Sequence, residues 1–291
     1  MSEPPREADH PFRQQAAPTL GERIYRTAGE ISFPRYPGTE GDRRAMRLVA
    51  ERLEATDLEV AVEEFSYGLQ RVWWLLRAVL LAGAAGVLLA GASATRGPAV
   101  ALGALAVAIA GALSLLTWSP WLERLYAADG PTTTANVMAR TARRSAARTV
   151  IVLAHHDSKS QNLTMLQRGA LTVVALVSAG TIALLAGLQT LGSLPAVASW
   201  LAPTLGAIGA VALAVLSTLR SGNESPGGVD NAGSLAILLE LADRLPETVD
   251  TSRTELVFLS PGAEEDHMVG AMRWLDKHGT DLADRSVVAL N

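Results

Sequence analysis

The amino-acid sequence predicts an α/β fold with a mixed, largely parallel sheet flanked by helices and interrupted by two transmembrane helical hairpins. Two observations predict this arrangement. Apolar segments of strand length alternate with helical segments in the charged parts of the chain, which is the pattern of α/β proteins. Between these parts lie uncharged apolar segments that are long enough to cross a bilayer.

The composition narrows the class of protein. The 291 residues carry a formal net charge of −4, and their mean hydropathy is +0.21. This charge is too small, and the basic residues are too dispersed, to indicate a nucleic-acid partner. The sequence contains no cysteine, which excludes disulfides and thiolate metal ligands. The polar N-terminal segment lacks the apolar core of a secretory signal peptide.

The apolar residues are concentrated in stretches without any charge, namely 78–95, 97–122 and 169–219. A membrane helix needs about 20 mostly apolar residues. We therefore predict four membrane helices, near 72–93, 98–118, 170–190 and 196–218. Tryptophans lie near their ends, as in an interfacial belt: Trp73, Trp74, Trp118, Trp121 and Trp200. Buried helices of a soluble core are the alternative, but such helices normally keep a polar stripe that these segments lack.

These helices divide the chain into hairpins at 72–118 and 170–218 and aqueous segments at 1–71, 119–169 and 219–291. The two hairpins place all aqueous segments on one side of a bacterial-type membrane. The positive-inside bias weakly favours the cytoplasmic side. Basic residues flanking the helices on that side are Arg71, Arg124, Lys159, Arg168 and Arg220, whereas the opposite loops carry Arg96.

The aqueous segments contain a regular series of predicted elements. A PRYPG turn precedes a helix in DRRAMRLVAERLEAT, whose apolar residues share one face. Three strands are predicted in LEVAVEEFSY, TTTANVMART and TVIVLA, and the continuous apolar run of the third indicates a buried parallel strand. A glycine-rich turn and helix follow in GGVDNAGSLAILLELADRL. The last predicted elements are a strand in TELVFLS, a helix in AMRWLDKHG that ends at its glycine, and a strand in SVVALN.

Acidic and histidine residues stand where ligands gather in such sheets, beyond the carboxyl ends of strands. His155 and Asp157 follow TVIVLA, Asp230 opens a helix, and Glu264 and Glu265 follow TELVFLS. If the strand continues, His155 and Asp157 share a face and His156 points to the other side.

These residues have structural as well as functional interpretations. His155 and Asp157 are compatible with a surface loop, Asp230 or Asn231 with a helix N-cap, and the two glutamates with a solvated helix start. In the functional interpretation His155 and Asp230 bind metal, and Asp157 orients His155. One of the two glutamates binds metal, and the other accepts a proton from the attacking water. We do not assign His267 as a ligand.

The order of these motifs resembles metallopeptidase family twenty-eight, the co-catalytic zinc aminopeptidases, which includes carboxypeptidases and glutaminyl cyclases. AHHDS at 154–158, GGVDNAGSLAILLELA and PGAEEDHMVGA resemble three motifs of that family, in the family's order. PRYPGTEGDRRA and TANVMA are similar to its opening segments. Two positions depart from the family pattern, because His267 stands where glycine is frequent and Ala271 where serine is frequent.

The resemblance implies a role for each candidate residue. His155 would bind one zinc ion, Glu265 the other, and Asp230 would bridge both. Glu264 would be the general base, and Asp157 would orient His155. The implied activity is that of an aminopeptidase with two zinc ions, and the predicted spans would make it a multi-pass membrane protein. Its partners would be a peptide substrate and the lipid bilayer, while the oligomeric state stays open.

The resemblance also implies two further ligands, an Asp shortly after SVVALN and a later His, and the sequence ends at Asn291 before either. We therefore expect a C-terminally truncated or degenerate relative with weak metal binding and low activity. A catalytically incomplete membrane protein that serves as a binding or scaffolding module is the alternative. A transporter would need polar groups at mid-membrane, and the four predicted spans show none.

Overall fold

The computed structural model describes residues 17–116, 125–126, 128–142, 146–193 and 197–291. Trp118, Trp121 and Arg124, which we placed at membrane boundaries, lie outside these residues. The described helices are α1 Leu20–Ile31, α2 Glu40–Glu54, α3 Gln70–Ser93, α4 Pro98–Leu116, α5 Met165–Thr190, α6 Ala198–Leu216, α7 Gly233–Thr248 and α8 Val269–Leu282. The strands are β1 Glu59–Tyr67, β2 Thr132–Arg140, β3 Arg148–Leu153, β4 Ser160–Gln161, β5 Ser221–Gly222, β6 Thr254–Ser260 and β7 Ser286–Leu290.

The main sheet is mixed, as predicted, with the strand order β1–β2–β6–β3–β7. β1 pairs with β2 and β2 with β6 in antiparallel fashion, whereas β3 runs parallel to both β6 and β7. β3 and β6 therefore end at the same edge of the sheet, and the loops carrying the candidate residues begin there. Their continuous apolar sequences follow from burial on both faces.

Helices cover the two faces of this sheet. On one face, Val49 of α2 and Leu235 and Leu238 of α7 pack with Val152 and Phe258 of the central strands. Because these helices bury an apolar stripe and expose polar residues elsewhere, each has the amphipathic pattern typical of a sheet-flanking helix. The fold class predicted from the sequence is confirmed.

On the other face, Trp274 of α8 packs against Met138, Ile151 and Val257. The prediction that α8 ends at its glycine is wrong, because the helix continues through Gly279 to Leu282. A glycine inside a helix costs only about 1 kcal/mol, and the packing of Leu282 beside Trp274 supports the last turn.

Three of the four predicted membrane helices are long and apolar enough to cross a bilayer, namely α3, α5 and α6. The apolar part of α4, Pro98–Ser114, falls short of that length within the described residues. The helices pack closely through small residues, since a Cβ on Gly91 would lie 2.8 Å from the Cα of Gly206. These helices are compatible with a membrane protein, and the hairpin boundaries and the side of the membrane stay predictions.

The start of α5 differs from the sequence prediction by five residues. The uncharged run begins at Gly169, but the helix begins at Met165. Thr164 and Gln167 form a capping box, in which each side chain hydrogen-bonds to the backbone of the other residue. Arg168 consequently lies inside the first turns of this helix.

Candidate active site

Three separate segments meet beyond the carboxyl ends of β3 and β6. The Nε2 atom of His155 lies 3.1 Å from Asp230 Oδ1 and 3.5 Å from Glu264 Oε2. His155 follows β3, Glu264 follows β6, and Asp230 precedes α7. The structure thus brings together an imidazole and two carboxylates that stand far apart in the sequence.

Asp157 connects two of these segments. Its carboxylate is fully buried, lies 3.3 Å from Nδ1 of His155, and accepts hydrogen bonds from the backbone N–H groups of Glu264 and Glu265. Burial opposes the charged form of Asp157, but the hydrogen bond and charge of His155 and the N–H of Glu265 outweigh it and lower its pKa. Asp157 therefore fixes both the His155 ring and the loop with the two glutamates.

The environment of His155 is strongly anionic. Burial alone would lower the pKa of His155, but the hydrogen bond to Asp157 and the charges of Asp157, Glu264 and Asp230 raise it to about 9. Such a concentration of carboxylates around one imidazole favours a bound cation, either a proton or a metal ion.

Asp230 does not serve as the helix cap that the alternative interpretation required. It lies in an irregular segment, at φ −118° and ψ 93°, and α7 has its N-cap at Ala232 without a side-chain hydrogen bond. Asn231 does not cap the helix either. The side chain of Asp230 is 75% exposed, so it faces the open side of the cluster.

Glu265 is held at the edge of the same cluster. Its Oε2 atom lies 3.6 Å from the Nζ atom of Lys159. Burial raises the pKa of Glu265, and the charges of Asp230 and Asp157 add to this effect, although Lys159 opposes it. The influence of Asp230 on Glu265 agrees with a shared anionic centre.

Arg35 positions the loops of the site, and the sequence analysis did not single it out. The residue is fully buried. Its guanidinium donates to the carbonyl oxygens of His156 at 2.6 Å and Gly227 at 2.9 Å, and its backbone N–H donates to Ser158 Oγ at 3.1 Å. It therefore ties the segment after β3 to the segment before Asp230. The PRYPG motif that contains it was the available signal.

His156 points away from the cluster, as predicted. It is fully buried, its Nδ1 atom lies 3.0 Å from Ser260 Oγ, and its Nε2 atom lies 3.6 Å from Asp42 Oδ1. Burial lowers the pKa of His156, and the nearby Asp42 carboxylate opposes this change. These contacts are those of a core histidine that joins β3, β6 and α2.

Asp266 anchors the glutamate loop from its other end, a role that the sequence did not indicate. It accepts hydrogen bonds from the hydroxyl groups of Tyr67 at 2.7 Å and Tyr36 at 3.0 Å. Burial and the Asp266 carboxylate raise the pKa of Tyr67, so the hydroxyl stays protonated and donates. The neighbouring His267 stacks on Tyr126 at 4.3 Å and is not part of the His155 cluster.

The donor set has the chemistry of a zinc site. Imidazole nitrogen and carboxylate oxygen are ordinary zinc ligands, and Asp157 behind His155 is the usual orienting partner. Within the part of the chain that the structure describes, however, three or more such side chains are not arranged as a ready metal cage. The types of side chain are those that bind zinc. Their distances from one another, however, are those of hydrogen-bonded and ion-paired groups.

A protein-family model matches the C-terminal part of the chain. Residues 211–291 match the family model of Peptidase family M28. This segment contains Asp230, Glu264 and Glu265, so the resemblance to peptidase family twenty-eight is confirmed. No curated protein matches the sequence.

Solved structures that match this chain include enzymes of two kinds. Fimbriiglobus ruber glutaminyl cyclase is 11% identical, with a TM-score of 0.45, over 99% of this chain and 64% of its own. The aminopeptidase from Aneurinibacillus sp. strain AM-1 is 14% identical, with a TM-score of 0.44, over 93% of this chain and 69% of its own. A zinc aminopeptidase from Bacillus subtilis is 14% identical, with a TM-score of 0.44, over 92% of this chain and 67% of its own. This chain therefore spans about two thirds of the length of these proteins.

Proposed function

We propose that the protein is a multi-pass membrane zinc-dependent exopeptidase, an aminopeptidase that releases N-terminal residues from peptides. The observation that carries this proposal is the convergence of His155, Asp230 and Glu264 at the carboxyl edge of the sheet. The match to Peptidase family M28 over residues 211–291 supports a peptidase-like function. The apolar helices support a membrane location.

In this proposal His155, Asp230 and Glu265 would hold zinc, and Asp230 would be the ligand shared by the two ions that the family resemblance implies. Zinc, when bound, supplies a Lewis acid that polarises the scissile carbonyl and makes water a stronger nucleophile. Asp157 keeps the His155 ring in place through its contact with Nδ1. The exposed position of Asp230 leaves this side of the cluster open to a substrate.

Glu264 acts as the general base. Its backbone is held by Asp157 through a 3.2 Å hydrogen bond, while its side chain is directed at the cluster. It accepts a proton from the water that attacks the peptide carbonyl and delivers it to the departing amine. The water oxygen ends on the new carboxyl group, and the bond between carbonyl carbon and amide nitrogen breaks.

The test uses the full chain in lipid nanodiscs with zinc and a panel of amino-acid anilides. Glu264→Gln should lower kcat about 100-fold or more, the usual contribution of a general base. Glu247→Gln, an exposed glutamate on α7, is the matched control and should leave kcat unchanged. Undiminished hydrolysis in Glu264→Gln would disprove the assigned mechanism.

Zinc titration by calorimetry provides a readout that does not depend on turnover. His155→Ala and Asp230→Asn should each weaken binding, whereas His278→Ala, which lies on α8 beside Glu63, should not. Unchanged zinc affinity in both His155→Ala and Asp230→Asn would contradict the assigned ligands.

A second candidate is a binding module that keeps the peptidase fold without catalysis. It is favoured by the lack of a ready three-ligand cage among the described residues. In that case the chain would bind peptides without hydrolysing them, and Glu264→Gln would have no effect on product formation with or without zinc.

A further inference from the structure

A cavity of about 280 Å³ lies where the chain passes from the sheet domain into the membrane helices. Its apolar wall is the beginning of α3, including Val72, Trp73 and Leu76. Lys159 and Arg168 contribute cationic groups to the same cavity, and Asp266, which pairs with Lys159, contributes a carboxylate. Because α3 begins at Gln70 and α5 at Met165, the cavity lies at the level where two apolar helices begin. In the proposed membrane arrangement this is the level of lipid headgroups.

The two cationic groups differ in whether they already have a hydrogen-bonding or ion-pair partner. Lys159 is already paired, with its Nζ atom 3.6 Å from both Glu265 Oε2 and Asp266 Oδ1. Arg168 has no side-chain hydrogen bond or ion pair within residues 17–291 as far as they are described, and its Nε atom is buried without an acceptor. An N–H donor buried without an acceptor is unfavourable, so the cavity favours a ligand that brings an anionic oxygen to Arg168.

Further arginines at the same boundary also lack a carboxylate partner among the described residues. Arg77 lies over the ring of Trp74 at 5.6 Å, and Arg77 and Arg220 line a neighbouring depression. The side chain of Trp74 is exposed, as expected of an interfacial aromatic anchor. Basic residues next to membrane helices attract anionic headgroups. Arg77 and Arg220 therefore favour an anionic lipid next to the cavity, as Arg168 does within it.

We propose that this cavity binds the headgroup of an anionic phospholipid, with the phosphate on the Arg168 guanidinium. The acyl chains leave along the apolar start of α3, past Val72 and Leu76, into the bilayer. One lipid molecule would thereby make both the apolar contacts with α3 and a charge-assisted hydrogen bond with Arg168. This inference rests on the proposed membrane location and not on the zinc chemistry, although Lys159 links the wall of the cavity to Glu265. Its test does not require peptidase activity.

The test titrates the delipidated full chain, in a neutral detergent, with phosphatidylglycerol, phosphatidylcholine or inorganic phosphate. Binding is followed by native mass spectrometry. Phosphatidylcholine carries the same phosphate together with a cationic choline group, which Lys159 and Arg168 would repel. Wild-type protein should therefore bind phosphatidylglycerol about tenfold more tightly than phosphatidylcholine, and Arg168→Gln should remove that preference. Arg96→Gln, which removes one positive charge at the other end of the α3–α4 pair, should retain it.

The proposal would be overturned if Arg96→Gln lost the preference for phosphatidylglycerol to the same extent, or if Arg168→Gln kept that preference unchanged. Saturable binding of inorganic phosphate without any lipid preference would also overturn it, in favour of a soluble anion. If Arg168→Gln does not fold, Val72→Trp tests the same cavity by filling it and should weaken phosphatidylglycerol binding about tenfold. Its control is Leu81→Trp, because Leu81 lies on the exposed face of α3; equal weakening in both would refute the site.

Discussion

The guanidinium of Arg35 donates a 2.9 Å hydrogen bond to the carbonyl oxygen of Gly227, although 192 residues separate the two. The same side chain donates to the carbonyl of His156 at 2.6 Å. One fully buried arginine thus holds together the loop after β3 and the loop that leads to Asp230. The spacing of His155 and Asp230 therefore depends on a residue that touches neither.

We expect Arg35→Gln to destabilise the protein by about 3 kcal/mol, because several buried carbonyl groups lose a charged donor. Arg47→Gln is the control, since among the described residues Arg47 pairs only with the exposed Glu40 and an exposed ion pair contributes about 0.5 kcal/mol. Denaturant unfolding followed by circular dichroism in detergent measures both. Equal stability of the two variants would contradict the assigned role of Arg35.

Asp157→Asn should loosen the glutamate loop. The carboxylate accepts from two backbone N–H groups, and an asparagine offers a single acceptor oxygen, so one N–H faces an amide donor. We expect faster hydrogen exchange at the amides of Glu264 and Glu265 and a 10- to 100-fold loss of kcat/KM in the proposed reaction. Asp243→Asn, at an exposed position of α7, should change neither quantity. Unaltered exchange in Asp157→Asn would show that the loop is held by other contacts.

The sequence predicted the strands and the candidate cluster because these depend on local patterns. The apolar runs of β3 and β6 and the polar residues directly after them are contiguous in the sequence, and parallel strands bring their ends together. Arg35 could not be assigned in this way, because its partners are backbone carbonyls, which leave no side-chain signature. The contact between Tyr67 and Asp266 joins residues 199 positions apart, and neither residue type predicts it.

The prediction of helix starts from the sequence has a similar limit. The charge-free run predicted α5 from residue 170, but the capping box of Thr164 and Gln167 starts the helix at Met165. Hydropathy detects the part of a helix that lies in an apolar environment, whereas capping depends on two polar side chains. The difference matters, because it places Arg168 in the first turns of a helix that is long and apolar enough to span a membrane.

Gly227→Ala and Gly233→Ala should have opposite effects on stability. Gly227 has φ +55°, and an added Cβ would lie 2.6 Å from the Cβ of Ser158 and 2.7 Å from the carbonyl oxygen of Asp230. The left-handed backbone alone costs alanine about 1–2 kcal/mol, and the close contacts add to this cost. Gly233 lies in α7 with its nearest neighbour at 3.8 Å, so alanine there should stabilise by about 0.5–1 kcal/mol.

Thermal unfolding of the two variants under identical conditions measures this difference. Zinc titration of Gly227→Ala should also show weaker binding, because the added Cβ displaces the segment before Asp230. A stable Gly227→Ala variant with unchanged metal affinity would mean that this loop adjusts without moving Asp230.

A pH-dependent contribution to stability is expected from Glu63 on β1. Its Oε1 atom lies 2.9 Å from both Lys277 Nζ and His278 Nε2 on α8. Burial raises the pKa of Glu63, but these two hydrogen bonds and charges outweigh it and hold the pKa below its usual value. A carboxylate with a lowered folded-state pKa stabilises the protein above its unfolded-state pKa of about 4.3. That contribution is lost as the pH falls through the folded-state pKa.

Glu63→Gln should therefore destabilise the protein at pH 6, by about 1 kcal/mol or less for a partly exposed ion pair. The difference between wild-type protein and Glu63→Gln should shrink as the pH falls below about 4.3. Glu64→Gln, at the adjacent exposed position of β1, should show no such difference at either pH. Denaturant unfolding at several pH values checks this, and a constant difference between pH 6 and pH 3 would mean that Glu63 acts through packing against α8 rather than through its charge.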